Sequence, residues 1–346
     1  MIKGKQSIAF KASPYIEESA SVVGKKEGEG PLGSRFDMVG LDDMFGEDTW
    51  EKAESSMQKE ACQLALGKAH LTAGAIRYLF GGDLLRQGVA TSLGVEQLQI
   101  PMFGLYGEHV QRQGEALALA SMCVAAGYGE RMLVVTSSHF GSAEKEFRFP
   151  LGYANQRPLS AHWTVTASGA FLVGSHLNKI NSDKQRQRKS QFRHIRITGV
   201  TIGKIVDFGL KDSQNMGACM APAATDTIYR NFQDLGRTQE DYDQIITGDL
   251  GYIGQSILFD LMKRAYDVKH WKCTKPEMPV LFISGAEDPC MGNVRQFAKS
   301  VRAMRCAGYR DVRGKLYPGM RHEILNEKDR EKVYHDIFTY ICKKGL

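Results

Sequence analysis

The sequence contains no long apolar run. No stretch of about 18 consecutive apolar residues occurs in its 346 residues, so no segment is predicted to cross a membrane. Residues 1–5 are not followed by the apolar core of a secretory signal either. Secreted and membrane-spanning classes are therefore not expected.

Cysteine pairs and strong charge are also missing. The seven cysteines are scattered, with no C-x-x-C pair and no Cys/His cluster at metal-ligand spacing, which predicts reduced thiols inside a cell and no metal centre. The formal net charge of +6 is too small to indicate nucleic-acid binding. The basic run at residues 184–189 has no apolar period, so we interpret it as a solvated loop. Contact with a membrane surface or an acidic partner is the alternative.

What the sequence does contain is an α/β pattern. Residues 24–48 are rich in Gly, Asp and Glu, which predicts a loop, and a helix is expected to follow from Thr49. Further strands are expected at residues 98–103, 131–136, 164–173 and 195–204, and a buried helix at residues 115–127.

A short repeat indicates two similar halves. An apolar strand at residues 76–80 ends in a turn at Gly81, Gly82 and Asp83, and residues 245–250 repeat this order with Asp249. Each copy follows a predicted helix and a polar linker, and each precedes another helix. Coincidence is the alternative, because Gly-Asp is a common turn; the matching order of the flanking elements favours duplication.

Several segments together resemble the stage V sporulation protein AD family of the thiolase fold. The resemblance runs almost without gaps from residue 1 to about residue 268. It rests on the order of the segments GPLGS (30–34), GDLL (82–85), TSSH (136–139), EFRFP (146–150), TVTASGA (164–170), GK (203–204), MGACMAPAA (216–224) and DYDQIITGDL (241–250).

The resemblance implies a fold and a role. It implies an α/β fold of two duplicated βαβ halves with layered sheets and helices, the second half being cut short here. It also implies a non-catalytic protein that binds dipicolinic acid, alone or as its calcium chelate, and helps move it into the forespore. The implied partners are membrane proteins of the same operon and a second copy of the chain, with no nucleic acid and no resident cofactor. The implied location is cytoplasmic, peripheral to the inner forespore membrane.

A pocket for a flat dicarboxylate needs cations or N–H donors and an apolar wall. Ser137, Ser138 and His139 follow a core strand, where α/β sheets place ligands, and Arg148 and Lys204 supply positive charge. The Gly-Asp turns add Asp83 and Asp249 to the expected ligand-binding set. The structural alternative is that the serines cap a turn, His139 is a satisfied core residue, and Arg148 pairs with Glu144 or Glu146.

Thiolase chemistry is not expected. A thiolase needs a nucleophilic cysteine at the start of the buried helix, and the family resemblance puts that position at His109 or Val110. No cysteine stands there, and Cys123 lies within the predicted helix as a core residue.

The C-terminal segment has a different resemblance. Residues 271–346, with MPVLFISGAEDP (278–289) and KLYPGMRHEILNE (315–327), resemble the end of an α/β-hydrolase of the lysophospholipase type. That resemblance makes Asp288 the acid and His322 the base of a catalytic triad. No G-x-S-x-G elbow occurs, and Ser256 has a better context than Ser92 as a nucleophile.

The sequence thus predicts two domains, residues 1–270 and 271–346. It leaves open three functions: dipicolinate binding, which we prefer, serine hydrolysis through Ser256, Asp288 and His322, and partner docking around a vestigial pocket.

Overall fold

The computed structural model describes residues 1–85, 88–105, 111–147, 159–175, 195–212, 215–270, 275–288, 293–321 and 324–344. Within these ranges the strands are β1 (Ile2–Lys3), β2 (Ser7–Ala9), β3 (Tyr15–Val23), β4 (Met38–Val39), β5 (Tyr78–Gly82), β6 (Met102–Gly104), β7 (Arg131–Ser138), β8 (Ala167–Gly174), β9 (Ile195–Arg196), β10 (Gly199–Thr201), β11 (Val280–Gly285) and β12 (Val312–Tyr317). The helices are α1 (Lys25–Gly28), α2 (Trp50–Ala69), α3 (Val89–Val95), α4 (Gln111–Ala125), α5 (Phe140–Phe147), α6 (Met216–Leu235), α7 (Gly251–His270), α8 (Val294–Cys306) and α9 (Arg330–Lys344).

The chain divides into two compact units. The first comprises Met1–Gly203 and Arg230–Gly251, and the second comprises Lys204–Tyr229 and Tyr252–Leu346. This division follows packing in space. The boundary near residue 270 rests on a change of resemblance along the sequence, and it stays a prediction.

A mixed sheet forms the centre of the first unit. Its strand order is β4-β3-β8-β7-β5-β6, with β9 also paired to β3. The pairs β7–β5 and β5–β6 are parallel, whereas β8 runs antiparallel to both β3 and β7. A separate antiparallel sheet has the order β1-β2-β10. The expected α/β class with layered sheets and helices is confirmed.

Helices cover both faces of this sheet because its central strands carry apolar side chains on both faces. Leu133 and Val135 of β7 face a cluster that includes Met57 and Leu66 of α2. The intervening residues Met132 and Val134 face the cluster that contains α4. Successive side chains of a strand point to opposite faces, so a strand that is apolar throughout is covered on both sides.

The helix expected from Thr49 is confirmed. Thr49 caps α2, and its hydroxyl accepts a hydrogen bond from the backbone N–H of Lys52 at 3.3 Å. The strand expected at residues 98–103 is shorter than predicted. The chain turns at Gln99, whose φ is 51°, and Pro101 offers no N–H to a sheet, so β6 begins only at Met102.

The second copy of the repeat contains no strand. Residues 243–250 have no regular secondary structure, and Ile246 is 82% exposed. A strand needs a neighbour to accept and donate its backbone hydrogen bonds, and no such neighbour is paired with this segment in the described chain. The helix expected after the turn is present as α7.

The second unit contains a small parallel sheet. Strands β11 and β12 pair in parallel from Val280↔Val312 to Gly285↔Tyr317, with α8 between them in the chain. Two apolar clusters draw only on residues 280–337. In the described residues, no helix is long and apolar enough to cross a bilayer.

Candidate functional site

A cleft of about 630 Å³ opens in the first unit. Its walls come from α1 and the residues beside it, from the segment before α2, from the first residue of α2, from the residue that follows β7 with the start of α5, and from the chain before β8. Four ring side chains and two lysines line it, together with five carboxyl groups: Trp50, His139, Phe140, Trp163, Lys25, Lys26, Glu27, Glu29, Asp42, Asp43 and Glu144.

The rings form one apolar wall. Phe140 and Trp163 stack with centroids 4.6 Å apart and planes inclined by 16°. Trp50 and His139 stack more loosely, at 6.5 Å and 23°. The packing of Trp50 against the start of α5 requires glycine at position 141, because a Cβ there would lie 2.5 Å from the indole of Trp50.

The two lysines are exposed at this wall. Lys26 Nζ lies 4.5 Å from the centroid of the Trp163 ring, a cation–π contact that holds the ammonium group beside the aromatic surface. Lys25 is its neighbour at the start of α1. Positive charge and aromatic surface therefore meet in one place.

Part of the acidic lining is engaged in local structure. Glu27 Oε1 accepts a hydrogen bond from the backbone N–H of Thr166 at 3.1 Å. Asp42 Oδ1 accepts from the backbone N–H groups of Met44 and Phe45 at 2.9 and 2.8 Å. Glu144 is only 2% exposed. The cleft thus carries charge of both signs.

His139 is a wall residue with both ring nitrogens engaged. Its Nε2 lies 2.6 Å from the carbonyl oxygen of Asp43, and its Nδ1 accepts from the backbone N–H of Gly141 at 3.1 Å, which assigns the proton to Nε2. Burial lowers the pKa of His139, although the Asp43 carbonyl acts in the opposite direction. The imidazole ring is therefore neutral at neutral pH. This environment agrees with the alternative in which His139 is a satisfied core residue.

Ser137 and Asp83 belong to a buried network behind the wall. Gln58 Nε2 donates to Ser137 Oγ at 2.7 Å and to Thr91 Oγ1 at 2.9 Å. Thr91 in turn donates its hydroxyl to Asp83 Oδ2 at 2.6 Å. The structure thus brings two of the predicted residues together through Gln58 and Thr91.

The other predicted ligand-binding residues have separate positions. Ser138 Oγ donates to the Val165 carbonyl at 2.6 Å. Asp249 Oδ2 accepts from the backbone N–H of Trp163 at 2.9 Å and so supports the aromatic wall. Lys204 lies in the second unit, 3.1 Å from Asp226. Arg148 lies outside the described residues.

Two of the described cysteines show no sign of thiolate activation. Burial raises the pKa of Cys62 to about 12 and also raises that of Cys123. The position where the resemblance puts the thiolase nucleophile, residues 109–110, lies outside the described residues.

The predicted hydrolase residues lie in the second unit. Asp288 follows β11, is 8% exposed, and accepts a hydrogen bond from Ser284 Oγ at 3.2 Å. Ser256 is exposed on α7, and His322 lies outside the described residues. In the part of the chain that the structure describes, no group of three or more His, Cys, Asp or Glu side chains is arranged to hold a metal ion.

Sequence reasoning missed most of the cleft. Lys25 and Lys26 lie in the segment whose composition predicts a loop, and Trp50 directly follows the predicted helix cap at Thr49 without a motif that marks it as a cleft residue. The sequence signal for Trp163 is its position directly before the strand predicted at residues 164–173.

Comparisons with a family model and with a curated protein indicate the same family. The sequence model of stage V sporulation protein AD matches residues 4–273. Stage V sporulation protein AD of Bacillus subtilis (strain 168) is 38% identical over 276 residues, which cover 79% of this chain and 77% of that protein.

Solved structures with some likeness include two from Xanthomonas. Cerulenin-bound OleA of Xanthomonas campestris is 14% identical, with a TM-score of 0.48 and coverage of 74% of this chain and 80% of that one. The 3-oxoacyl-(acyl carrier protein) synthase III of Xanthomonas oryzae is 12% identical, with a TM-score of 0.46 and coverage of 74% and 83%. The match of the family model and the identity to the Bacillus subtilis protein show that the chain belongs to the stage V sporulation protein AD family.

Proposed function

We propose that this protein binds dipicolinate in the cleft of its first unit and catalyses no reaction on it. The observation that carries the proposal is the meeting of the Phe140–Trp163 stack with Lys25 and Lys26 in one cleft. Family membership supplies the sporulation context.

The ligand and the cleft match in shape and chemistry. Dipicolinate is a flat pyridine ring with two carboxylates, so its ring matches the aromatic lining of the cleft while its carboxylates match the ammonium groups of Lys25 and Lys26. A charge-assisted hydrogen bond contributes about 1.5–3 kcal/mol and an aromatic contact about 0.5–1.5 kcal/mol. Contacts of this size are sufficient for a specific small-molecule site.

The carboxyl groups of the lining oppose a free dianion. Glu29 and Asp43 are exposed in the same cleft as the two lysines. Calcium bound by the ligand offsets the negative charge of dipicolinate and reduces this repulsion. We therefore include the calcium chelate in the proposal, with the ion arriving as part of the ligand.

The wider role is proposed from the family. We propose that the protein acts in dipicolinate uptake into the forespore, in the cytoplasm and peripheral to the inner forespore membrane, beside membrane proteins of the same operon. We also propose a homodimer. Among the described residues β6 is an edge strand of its sheet, with Met102 37% and Phe103 52% exposed, and this supports a homodimer because a strand edge is a site for pairing with another chain.

Calorimetry with purified protein tests the ligand. Lys26→Ala and Trp163→Ala should each weaken dipicolinate binding by about tenfold, since about 1.4 kcal/mol of contact is lost. Lys11→Ala is the matched control, because Lys11 is an exposed lysine outside the cleft. Titrations with and without calcium separate the dianion from its chelate, and isophthalate tests the ring nitrogen.

Dipicolinate affinity that is unchanged in both cleft variants contradicts the proposed site. No binding to a protein shown to be folded contradicts the function itself and favours the partner-docking alternative.

The hydrolase alternative has one supporting observation. Asp288 is buried after β11, where the acid of a hydrolase triad is expected. A fluorophosphonate probe tests it directly: labelling that is lost in Ser256→Ala would establish a serine hydrolase, whereas we expect no labelling.

A further inference from the structure

A buried carboxyl group connects α2 to the wall of the cleft. Glu54 has no exposed surface. Its Oε1 accepts a hydrogen bond from Ser137 Oγ at 2.8 Å, and its Oε2 accepts from Ser142 Oγ at 2.9 Å. The two serines lie on either side of His139 and Phe140 in the sequence, so Glu54 holds the segment that carries part of the ring wall.

The same helix supplies a neighbouring ring of that wall. Trp50 lies one turn before Glu54 on α2 and stacks on His139. A change at the Glu54 carboxyl therefore acts on two segments that carry rings of the wall, although Glu54 itself is not among the lining residues.

The hydrogen bonds of this connection depend on one proton. Ser142 has a single hydroxyl hydrogen and two acceptors in range, Glu54 Oε2 at 2.9 Å and the His139 carbonyl at 3.1 Å. An ionised Glu54 attracts that hydrogen more strongly. A Glu54 that is protonated on Oε2 donates to Ser142, whose hydrogen then turns to the His139 carbonyl. On protonation of Glu54, the Ser142 hydroxyl therefore stops donating to Glu54 and donates to the backbone carbonyl of His139.

The surroundings keep both forms of Glu54 accessible near neutral pH. Burial raises its pKa to about 7, and the charge of Asp83, after β5, adds to that effect. The hydrogen bonds from Ser137 and Ser142 and the charge of Arg112, on α4, act in the opposite direction. The groups that meet it from β7 and α5 are uncharged hydroxyls.

We propose that Glu54 is a proton-linked positioning residue of the cleft, so that an anion bound there is accompanied by a proton taken up on Glu54. An anion in the cleft repels the carboxylate and favours its protonated form, which also makes the additional hydrogen bond to the wall. Because linkage is reciprocal, the proton strengthens anion binding to the same extent. This inference rests on the proposed function, and it names the regulation of that site.

Calorimetry across pH tests the linkage. Wild-type protein should bind dipicolinate about fivefold more tightly at about pH 6 than at about pH 8, and two buffers of different ionisation enthalpy should reveal proton uptake. Glu54→Gln should show little change over this range, because its amide imitates the protonated acid and donates to Ser142. Glu51→Gln is the matched control: Glu51 lies on the same helix, bonds to Lys145, and should leave the wild-type pH profile intact.

Each result decides either the inference or the proposed function. A flat wild-type profile, or a profile that Glu54→Gln retains, overturns the inference while leaving dipicolinate binding in place. If no variant binds at any pH, the proposed function fails. Tryptophan fluorescence of the unliganded protein, measured across pH, then tests whether the environment of Trp50 in the wall changes with the protonation of Glu54. A transition near neutral pH that Glu54→Gln lacks supports the proton-dependent wall, and its absence from the wild type overturns it.

Discussion

The buried carboxyl of Glu54 makes the stability of the first unit depend on pH. Its pKa rises from 4.5 to about 7 on folding, mainly through burial. Between these values the folded state holds a proton that the unfolded chain releases. Stability therefore falls as pH rises through this window, and the loss is complete above the folded pKa; it amounts to something on the order of 3 kcal/mol.

Glu54→Gln should remove this dependence. The amide does not titrate, so the free energy of unfolding should fall less between about pH 5 and about pH 8 than it does in the wild type. Urea unfolding followed by circular dichroism at several pH values measures the difference. An equal decrease in both proteins would show that Glu54 ionises at its ordinary pKa in the folded state.

At the scale of elements, the junction of β7 and α5 against α2 shapes the cleft. Gly141, the second residue of α5, has the indole of Trp50 as its nearest neighbour, with three ring atoms 2.5, 2.8 and 2.9 Å from the position of a Cβ. A methyl group there has to displace a large ring that also stacks on His139.

Gly141→Ala should therefore destabilise the protein by about 1–3 kcal/mol and weaken dipicolinate binding together with it. Gly114→Ala in α4 is a control of opposite sign. Among the described residues, no atom outside its own helix lies within 4 Å of a Cβ added at Gly114, and alanine is favoured over glycine within a helix by about 0.5–1 kcal/mol. Thermal unfolding and calorimetry on both variants check the pair; a neutral Gly141→Ala would mean that α2 and α5 shift apart at little cost.

Elements were largely predictable where periodicity and turn chemistry agreed. The start of α2 at Trp50 followed from the cap at Thr49 and the helical spacing after it. The expected strand at residues 245–247 did not form, since strand formation depends on a partner that local sequence does not specify. The continuous strand expected at residues 195–204 is replaced by β9 and β10, which pair with different strands.

At the scale of the whole molecule, the second unit has its own apolar clusters. One gathers Tyr317, Met320, Ile324 and Val333, and the other gathers Val301, Met304 and Val312. Every described residue that lines the cleft belongs to the first unit. Stability of the C-terminal clusters and ligand binding are therefore expected to be separable.

Val333→Ala tests this separation. Val333 has no exposed surface, so its truncation should cost about 2 kcal/mol through lost burial and a residual cavity. Hydrogen exchange read by mass spectrometry should show faster exchange in residues 280–337, with the first unit and dipicolinate affinity unchanged. Faster exchange throughout the chain would indicate that both units unfold as one.

The sequence by itself determined the family, the α/β class and most of the elements, because ordered motifs, apolar periodicity and capping residues are local properties of the chain. The cleft was decided by the tertiary structure, since Lys26 and Trp163 are far apart in sequence and meet only when α1 packs near the chain before β8. The same is true of Glu54. Its sequence neighbours mark an ordinary helix position, and only burial between Ser137 and Ser142 turns its carboxyl into a group that titrates near neutral pH.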